Sequence, residues 1–370
     1  MSIAIVAFQP SHQPAVHDFN QRLRGTLDEE LFFPEDPRMS WLPKGGHPKI
    51  YQEGFVAVDE AAVRGGYILK HQPFAIQGEV RDIASYRLPI SEGLVNRNYA
   101  MLGMQLIRDA LNRQPRIFSL GMGAIDRPLP KMQKALGWAQ YEVPFYFKVI
   151  HGGRFVRQIA ALRRTRARRV AMDLMAYSGV ASLGSAAWRI FRPSAVKADV
   201  TVEPFDRFEA WADELWSRCN TRYSLSAVRD SDILTALYPP QDSRFLRWRL
   251  RRGQKTLAWV VCLDTRMAGH KQFGNLRVGT IVDGFADPDD AALAVAAAGR
   301  ELEKRGVDLI VSNQTHQAWG QGLRSAGFMT GPSNFIFSVS KQLAADLSPF
   351  ADRVKEAHIN RADGDGPIHL

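Results

Sequence analysis

Two places in this 370-residue chain close in the same way, and they lie 190 positions apart. Gly137-Trp138 and Gly327-Phe328 each follow a short helical segment and precede a terminal strand. The longer helices ahead of them, starting near Asn98 and Asp289, are offset by 191. An offset held nearly constant over several elements is the trace of an internal duplication, which restricts the chain to architectures built from two copies of one unit. The length agrees, because 370 residues exceed what one hydrophobic core usually organises. Two domains are expected, over 1–150 and 198–345, joined by a connector at 151–197. Ala362-Asp-Gly-Asp-Gly-Pro marks the remainder, 346–370, as a mobile tail.

Hydrophobic periodicity fills in each copy. The first reads as strand Ile3–Phe8, helix Val16–Arg24, and an antiparallel pair at Phe55–Val58 and Tyr67–Phe74 with a longer turn around Asp59-Glu60 and Gly65-Gly66. Strand Ile83–Ile90, a helix from Asn98 to Leu111, strand Arg116–Leu120, helix Pro128–Leu136 and a closing strand Glu142–Ile150 follow. The second runs Val200–Val202, helix Arg207–Cys219, strands Leu257–Leu263 and Val278–Phe285, and helix Asp289–Arg305. Strand Leu309–Ser312, helix Gln317–Ala326 and strand Phe335–Ser340 complete it.

Charge separates the connector from both copies. Of the net +10, the stretch Arg154–Arg192 supplies +8, through nine Arg against the single acid Asp173. Such localisation excludes a protein that coats nucleic acid with a generally basic surface. Arg163, Arg164, Arg166, Arg168 and Arg169 precede an apolar stretch, Val170–Ile190, interrupted by Asp173, Gly179, Gly184 and Arg189, which argues against a spanning helix. Tyr177, Trp188 and Phe191 suit a water–lipid boundary. The connector is therefore expected to be a basic amphipathic helical linker that docks on the anionic inner membrane surface or an acidic partner, or else a helical hairpin with a solvated Arg face. Two cysteines and no cationic leader before the Gln9–Gln13 stretch point to a reducing, cytoplasmic setting, at the inner face of the membrane if the connector docks there. Scattered histidines imply no metal, Gly121-Met-Gly123 lacks the third glycine of a dinucleotide fingerprint, and there is no Gly-x-Ser-x-Gly elbow.

The order of elements, with Asp82–Leu111 running from strand through Pro89-Ile-Ser-Glu-Gly into Asn98-Tyr-Ala-Met-Leu-Gly103, and the closings Met132–Trp138 and Gly322–Phe328, resembles the GCN5-related N-acetyltransferase (GNAT) superfamily. The resemblance implies an α/β (α+β) chain of two tandem GNAT-like domains, each a mixed, mostly antiparallel sheet flanked by helices. It also implies acyl-CoA, such as acetyl-CoA, as co-substrate and an amine as acceptor. The family's phosphate-loop pattern falls on Asn98–Gly103, where Gly103 matches while Asn98 and Met101 stand in place of the usual Gln/Arg and Gly. The two-half layout, the Leu246-Arg-Trp-Arg249 run and the basic connector look like bacterial tandem proteins of envelope-polysaccharide synthesis, which implies an amino sugar or similar precursor as the small-molecule acceptor. They are also similar to Fem-type ligases, which would substitute aminoacyl-tRNA as donor, the one reading with a nucleic-acid partner. A non-catalytic GNAT-fold scaffold is the alternative of a different class.

Helix N-termini favour anions, and Asn96, Arg97 and Asn98 precede the first long helix whereas Asp287, Asp289 and Asp290 precede the second. The donor is therefore assigned to the first half, with Ser85, Arg87, Leu88, Arg97, Asn98 and Gly103 as its contacts; in the family, backbone N–H in the region of Ser85–Leu88 meets the thioester carbonyl. Candidate proton-transfer groups are Asp82 and Tyr86, which period-2 alternation puts on one strand face, beside Glu79 and Glu92. In the second half Asp283, Asn313 and His316 are expected around a cleft where two central strands part. Asp82, Tyr86, Asp283 and His316 form the candidate catalytic set, with Glu92 and Asn313 as substrate contacts. The family's usual acid, a Tyr four residues before the closing Gly, is replaced by Gln133 and Leu323.

Overall fold

A computed structural model describes residues 3–24, 32–36, 47–123, 125–158 and 199–364. Leu102, Leu106 and Ala110 recur at helical spacing and bury one face of α2 (Leu102–Arg113), while α1 (Gln13–Leu23) buries Val16, Phe19 and Leu23. These helices cover opposite faces of the first sheet, as their core partners differ: α2 meets Tyr67, Leu69, Ala84 and Tyr86, and α1 meets Val56, Ile68 and Ile90. α2 begins at Leu102 rather than Asn98, because Asn96 accepts from the Asn98 backbone N–H and closes a separate 3-10 turn first.

The first sheet starts with β1 (Ala4–Ala7), β2 (Tyr51–Asp59), β3 (Ala62–Ile76), β4 (Glu79–Ser91) and β5 (Ile117–Met122), in that spatial order. The β2–β3 turn is tighter than expected, with Glu60 at φ 57°, and the strand runs on through Gly65-Gly66. Glycine is needed there for a close approach, since a Cβ on Gly66 would lie 2.8 Å from Cζ of Phe33.

The closing strands change places. A single strand over Glu142–Ile150 was the expectation, but Pro144 has no N–H to give a ladder, and the chain divides around it into β6 (Ala139–Glu142) and β7 (Phe145–Val149). β6 stays with the first sheet, whereas β7 enters the second, antiparallel to β13 (Leu309–Asn313) and to β14 (Met329–Gly331). In return β15 (Phe335–Val339), from the second half of the sequence, lies between β5 and β6 in the first sheet. The second sheet reads β14-β7-β13-β12-β11-β10-β8, with β8 at Thr201–Pro204, β10 at Leu246–Arg252, β11 at Lys255–Arg266 and β12 at Arg277–Ala286. Among the described residues it packs with α4 (Gly152–Gln158) through Phe155 and, around one core cluster, with α5 (Ala210–Cys219), α6 (Ser231–Leu237), α7 (Ala291–Lys304) and α8 (Gln317–Ser325). A three-residue strand, β9 (Leu225–Ala227), crosses back to pair with the end of β3.

The expected mobile tail is, over residues 346–364, a packed part of the fold. Leu347, Val354, Ala357 and Ile359 are fully buried against Phe74, Phe118 and Phe337, and Asp363 is buried as well. Composition misleads here because Asp363 is held by the buried Arg229. Residues 365–370 lie outside the described residues, as does most of the connector with its Arg163–Arg169 cluster.

Exchange of β7 and β15 leaves neither half with a complete sheet. Fragments 1–158 and 199–370 expressed separately are expected to lack a cooperative thermal transition, and their mixture is expected to regain one by circular dichroism. A sharp melt of 1–158 alone would show that the exchanged strand is dispensable.

Candidate functional site

In the first sheet β4 and β5 run parallel for only two pairs, Ala84 with Ile117 and Ser85 with Phe118, and then part. Past that point a side chain spans the opening: Ser119 Oγ donates to the Tyr86 carbonyl at 3.2 Å, and Gln133 Nε2 donates to Ser119 Oγ at 2.8 Å. Two residues of β4, Leu88 and Pro89, oppose the single Tyr67 of β3, and Leu88 sits at φ 45°. This bulge turns the backbone out of the ladder at the mouth of the opening, an arrangement associated with functional sites. The chain then passes through exposed Arg97 and Asn98 into α2. Gly103 lies in its first turn, where a Cβ would come within 3.5 Å of Met132 Sδ on α3 (Pro128–Ala135).

The face of this sheet turned away from α2 carries a polar row. Gln52, Lys70 and Ser85 are directly paired across β2, β3 and β4, so their side chains share one face, with Arg87 and Gln72 two residues along. Lys70 is 1% exposed and Arg87 7%, and Arg87 Nη1 donates to Gln52 Oε1 at 3.0 Å. The row separates apolar Ile68, Ile90 and Phe33 from Phe74, Ile83 and Phe118. Sequence reading missed Lys70, although a lysine inside the strand-forming run Tyr67–Phe74 was the available signal.

Of the proposed acid–base pair, Asp82 is exposed at the far end of β4, while Tyr86 is buried on the α2 face against Tyr67, ring centroids 5.3 Å apart. Four strand residues span about 13 Å, so the two cannot act on one proton. Burial pushes the Tyr86 phenol well up, and its hydroxyl has no hydrogen-bond partner. Glu92 is a brace, held by Arg22 and Arg64 at 3.1 Å each. Glu79 is exposed and ion-paired with Arg81.

The second sheet repeats the parting strands but fills the space. β12 and β13 pair from Val278–Leu309 to Thr280–Val311, and beyond them the C-terminal segment enters. A His358 ring nitrogen meets the Gly284 carbonyl at 2.7 Å, the Ile359 N–H donates to Thr315 Oγ1 at 3.0 Å, and Asn360 bridges to Gln314. A cavity of about 10 Å³ remains between Asp283, Trp319 and Asn360, room for one water. Asp283, expected beside an open cleft, instead accepts from Arg229 Nε at 3.1 Å, Tyr238 Oη at 2.8 Å and Asn360 Nδ2 at 2.7 Å. Arg229 also reaches Asp363 through Nη2, at 3.1 and 3.2 Å. Burial alone would lower the Arg229 guanidinium, but the two carboxylates outweigh it and raise it; burial pushes the Asp363 carboxyl upward. Asn313 accepts from Arg361 Nη1 at 2.8 Å. His316 caps α8 by accepting the Ala318 N–H at 3.2 Å, and burial lowers its imidazole to about 4. Among the described residues no three His, Cys, Asp or Glu side chains gather to hold a metal, and no helix is long and apolar enough to cross a membrane.

This geometry has counterparts. No protein-family model and no curated protein matches the sequence. Solved structures do match: N-myristoyltransferase of Saccharomyces cerevisiae with bound myristoyl-CoA superposes with a TM-score of 0.53 at 10% identity, over 91% of this chain and 82% of that one. A GCN5-related N-acetyltransferase from Anabaena variabilis gives 0.53 at 11% identity, over 91% and 72%. A probable N-acyltransferase from Enterococcus faecalis gives 0.52 at 9%, over 94% and 75%. The chain has a tandem GNAT-type fold, as the element order implied.

Two outcomes follow from the buried groups. Arg229→Met strands two carboxylates in the core and is expected to cost about 3–5 kcal/mol in urea denaturation. His316 has a lower affinity for protons folded, about 4, than its ordinary 6.5. Its contribution is complete above pH 6.5 and is lost as pH falls toward 4, on the order of 3 kcal/mol. His316→Asn, which keeps a capping side chain, should lessen the loss of stability between those pH values, while His358, whose imidazole burial also lowers, keeps its own share; superimposable curves would rule His316 out as a contributor.

Proposed function

We propose that the protein is an N-acyltransferase that takes an acyl group from acyl-CoA in its first half and passes it to an amine held between the halves. The observation that carries this reading is the asymmetry of the two strand openings. The second is occupied by residues 357–363, while the first has the Leu88 bulge at its mouth and a helix start with no acidic residue from Asn96 to Gln105. A donor arriving on the α2–α3 side would thread between β4 and β5 and present its thioester to the polar row on the other face. There the amine lone pair attacks the carbonyl carbon, backbone N–H near Leu88 receives the developing oxyanion, and the carbon–sulfur bond breaks. One proton leaves the nitrogen and one is taken up by the thiolate, giving an amide and free CoA. The yeast N-myristoyltransferase of like fold is recorded with myristoyl-CoA, which supports a CoA-borne acyl donor here. The acceptor class we favour is an amino sugar or related envelope precursor, with the Arg-rich connector serving an anionic surface.

Calorimetric titration of acetyl-CoA, octanoyl-CoA and palmitoyl-CoA tests the donor. Binding of at least one is expected, weakened more than tenfold by Gly103→Arg, which crowds the α2–α3 contact, and unchanged by Asp289→Arg at the exposed start of the second long helix. No heat from any of the three with the parent protein would overturn the reading.

A further inference from the structure

The polar row states what kind of amine fits. Gln52, Lys70, Gln72, Ser85 and Arg87 come from three adjacent strands onto one face, and none is a carboxylate. Lys70, Gln72, Ser85 and Arg87 are all less than 10% exposed, between two apolar clusters. Placing an ammonium and a guanidinium among aliphatic and aromatic side chains is costly and, in a fold of this size, unnecessary for stability. The same face is closed from the side of the second half by the C-terminal segment: Gly364 lies against Leu120 of β5, and the charge of Lys70 acts on Asp363. Asp363 is itself held in a two-oxygen contact by Arg229. The row thus presents hydrogen-bond donors from a guanidinium, an ammonium, two amides and a hydroxyl, next to the Leu88 bulge.

We infer that the acceptor amine carries an anionic group, a carboxylate or a phosphate, which Lys70 and Arg87 recognise while the amine nitrogen faces the thioester carbon beside Leu88. This inference rests on the acyltransferase reading. Both side chains already have protein contacts, so the anion joins an existing network. Arg87 supplies the planar fork that suits either oxyanion, and Lys70 a compact charge.

Matched acceptors test it with acyl-CoA and the full chain: glucosamine 6-phosphate against glucosamine for a phosphate, glycine against glycinamide for a carboxylate. Release of free CoA is expected to be at least tenfold more efficient, in kcat/KM, for the charged member of one pair, and which pair responds identifies the anion. Arg87→Gln and Lys70→Gln should each collapse that charged-to-neutral ratio at least tenfold, with Arg87→Lys retaining part of it. Equal efficiency for charged and neutral members, or a ratio unmoved in the variants, overturns the inference and leaves acyl transfer standing. Should no amine accept an acyl group, the transferase reading fails, and thermal melting with inorganic phosphate judges the site alone. A rise in Tm for the parent that disappears in Arg87→Gln and Lys70→Gln, each with a cooperative melt of its own, supports an anion site; a rise equal in all three, or none, overturns it.

Discussion

Two strands, β7 and β15, determine how everything else in this molecule is placed. Each comes from one half of the sequence and completes the sheet of the other, so the backbone ladders β7–β13 and β5–β15 cross between the halves. Without the exchanged strands β5 and β13 would each present an unpaired row of N–H and C=O groups, and β15 and β7 pair with them. The two halves therefore behave as one body, and the back face of the first sheet is held permanently toward the second half. A site built across that junction needs no hinge to assemble it.

Beside the exchanged strands, the buried cluster around Arg229 fixes the end of the chain. Burying a guanidinium and two carboxylates is tolerated because every group has near partners: Arg229 with Asp283 and Asp363, and Asp283 with Tyr238 and Asn360. Directional contacts of this sort specify one geometry where apolar packing alone would allow several. They carry Asn360 and His358 into the space between β12 and β13, and in doing so make two copies of one unit chemically unlike.

Much of this architecture was legible in sequence. Period-2 and period-3.6 patterning located β4, α2, β12 and α7, and the Gly-aromatic pairs at 137 and 327 exposed the duplication. Sheet membership was not legible, because it depends on the break around Pro144, and a proline shows that a ladder stops without showing which sheet receives the next strand. The buried C-terminal segment escaped for a related reason. Asp363 and Gly364 look like solvated linker residues until Arg229, 134 positions earlier, is known to face the carboxylate. Among candidate site residues, alternation put Asp82 and Tyr86 on one strand face, but the depth of Asp82 and Lys70 along their strands follows from which elements cover each end.

The divergence of the halves is written in electrostatics as well as in sterics. At the start of α7, Asp287 and Asp289 are satisfied by Arg222 at 3.1 and 3.3 Å, and Asp290 is pushed upward by burial, with the other two carboxylates adding to it. A pyrophosphate brought there would meet acids where it needs donors, and would find the strand gap beyond already occupied. At the start of α2 the corresponding turn closes on neutral Asn96 and Asn98 with Arg97 exposed, and in the gap beyond only the side chains of Ser119 and Gln133 bridge the parted strands, with no segment of main chain inserted. The same parting of strands is thus filled by the C-terminal segment in one copy and bridged by two side chains in the other. Each copy can specialise because the exchanged strands, rather than either opening, hold the sheets together.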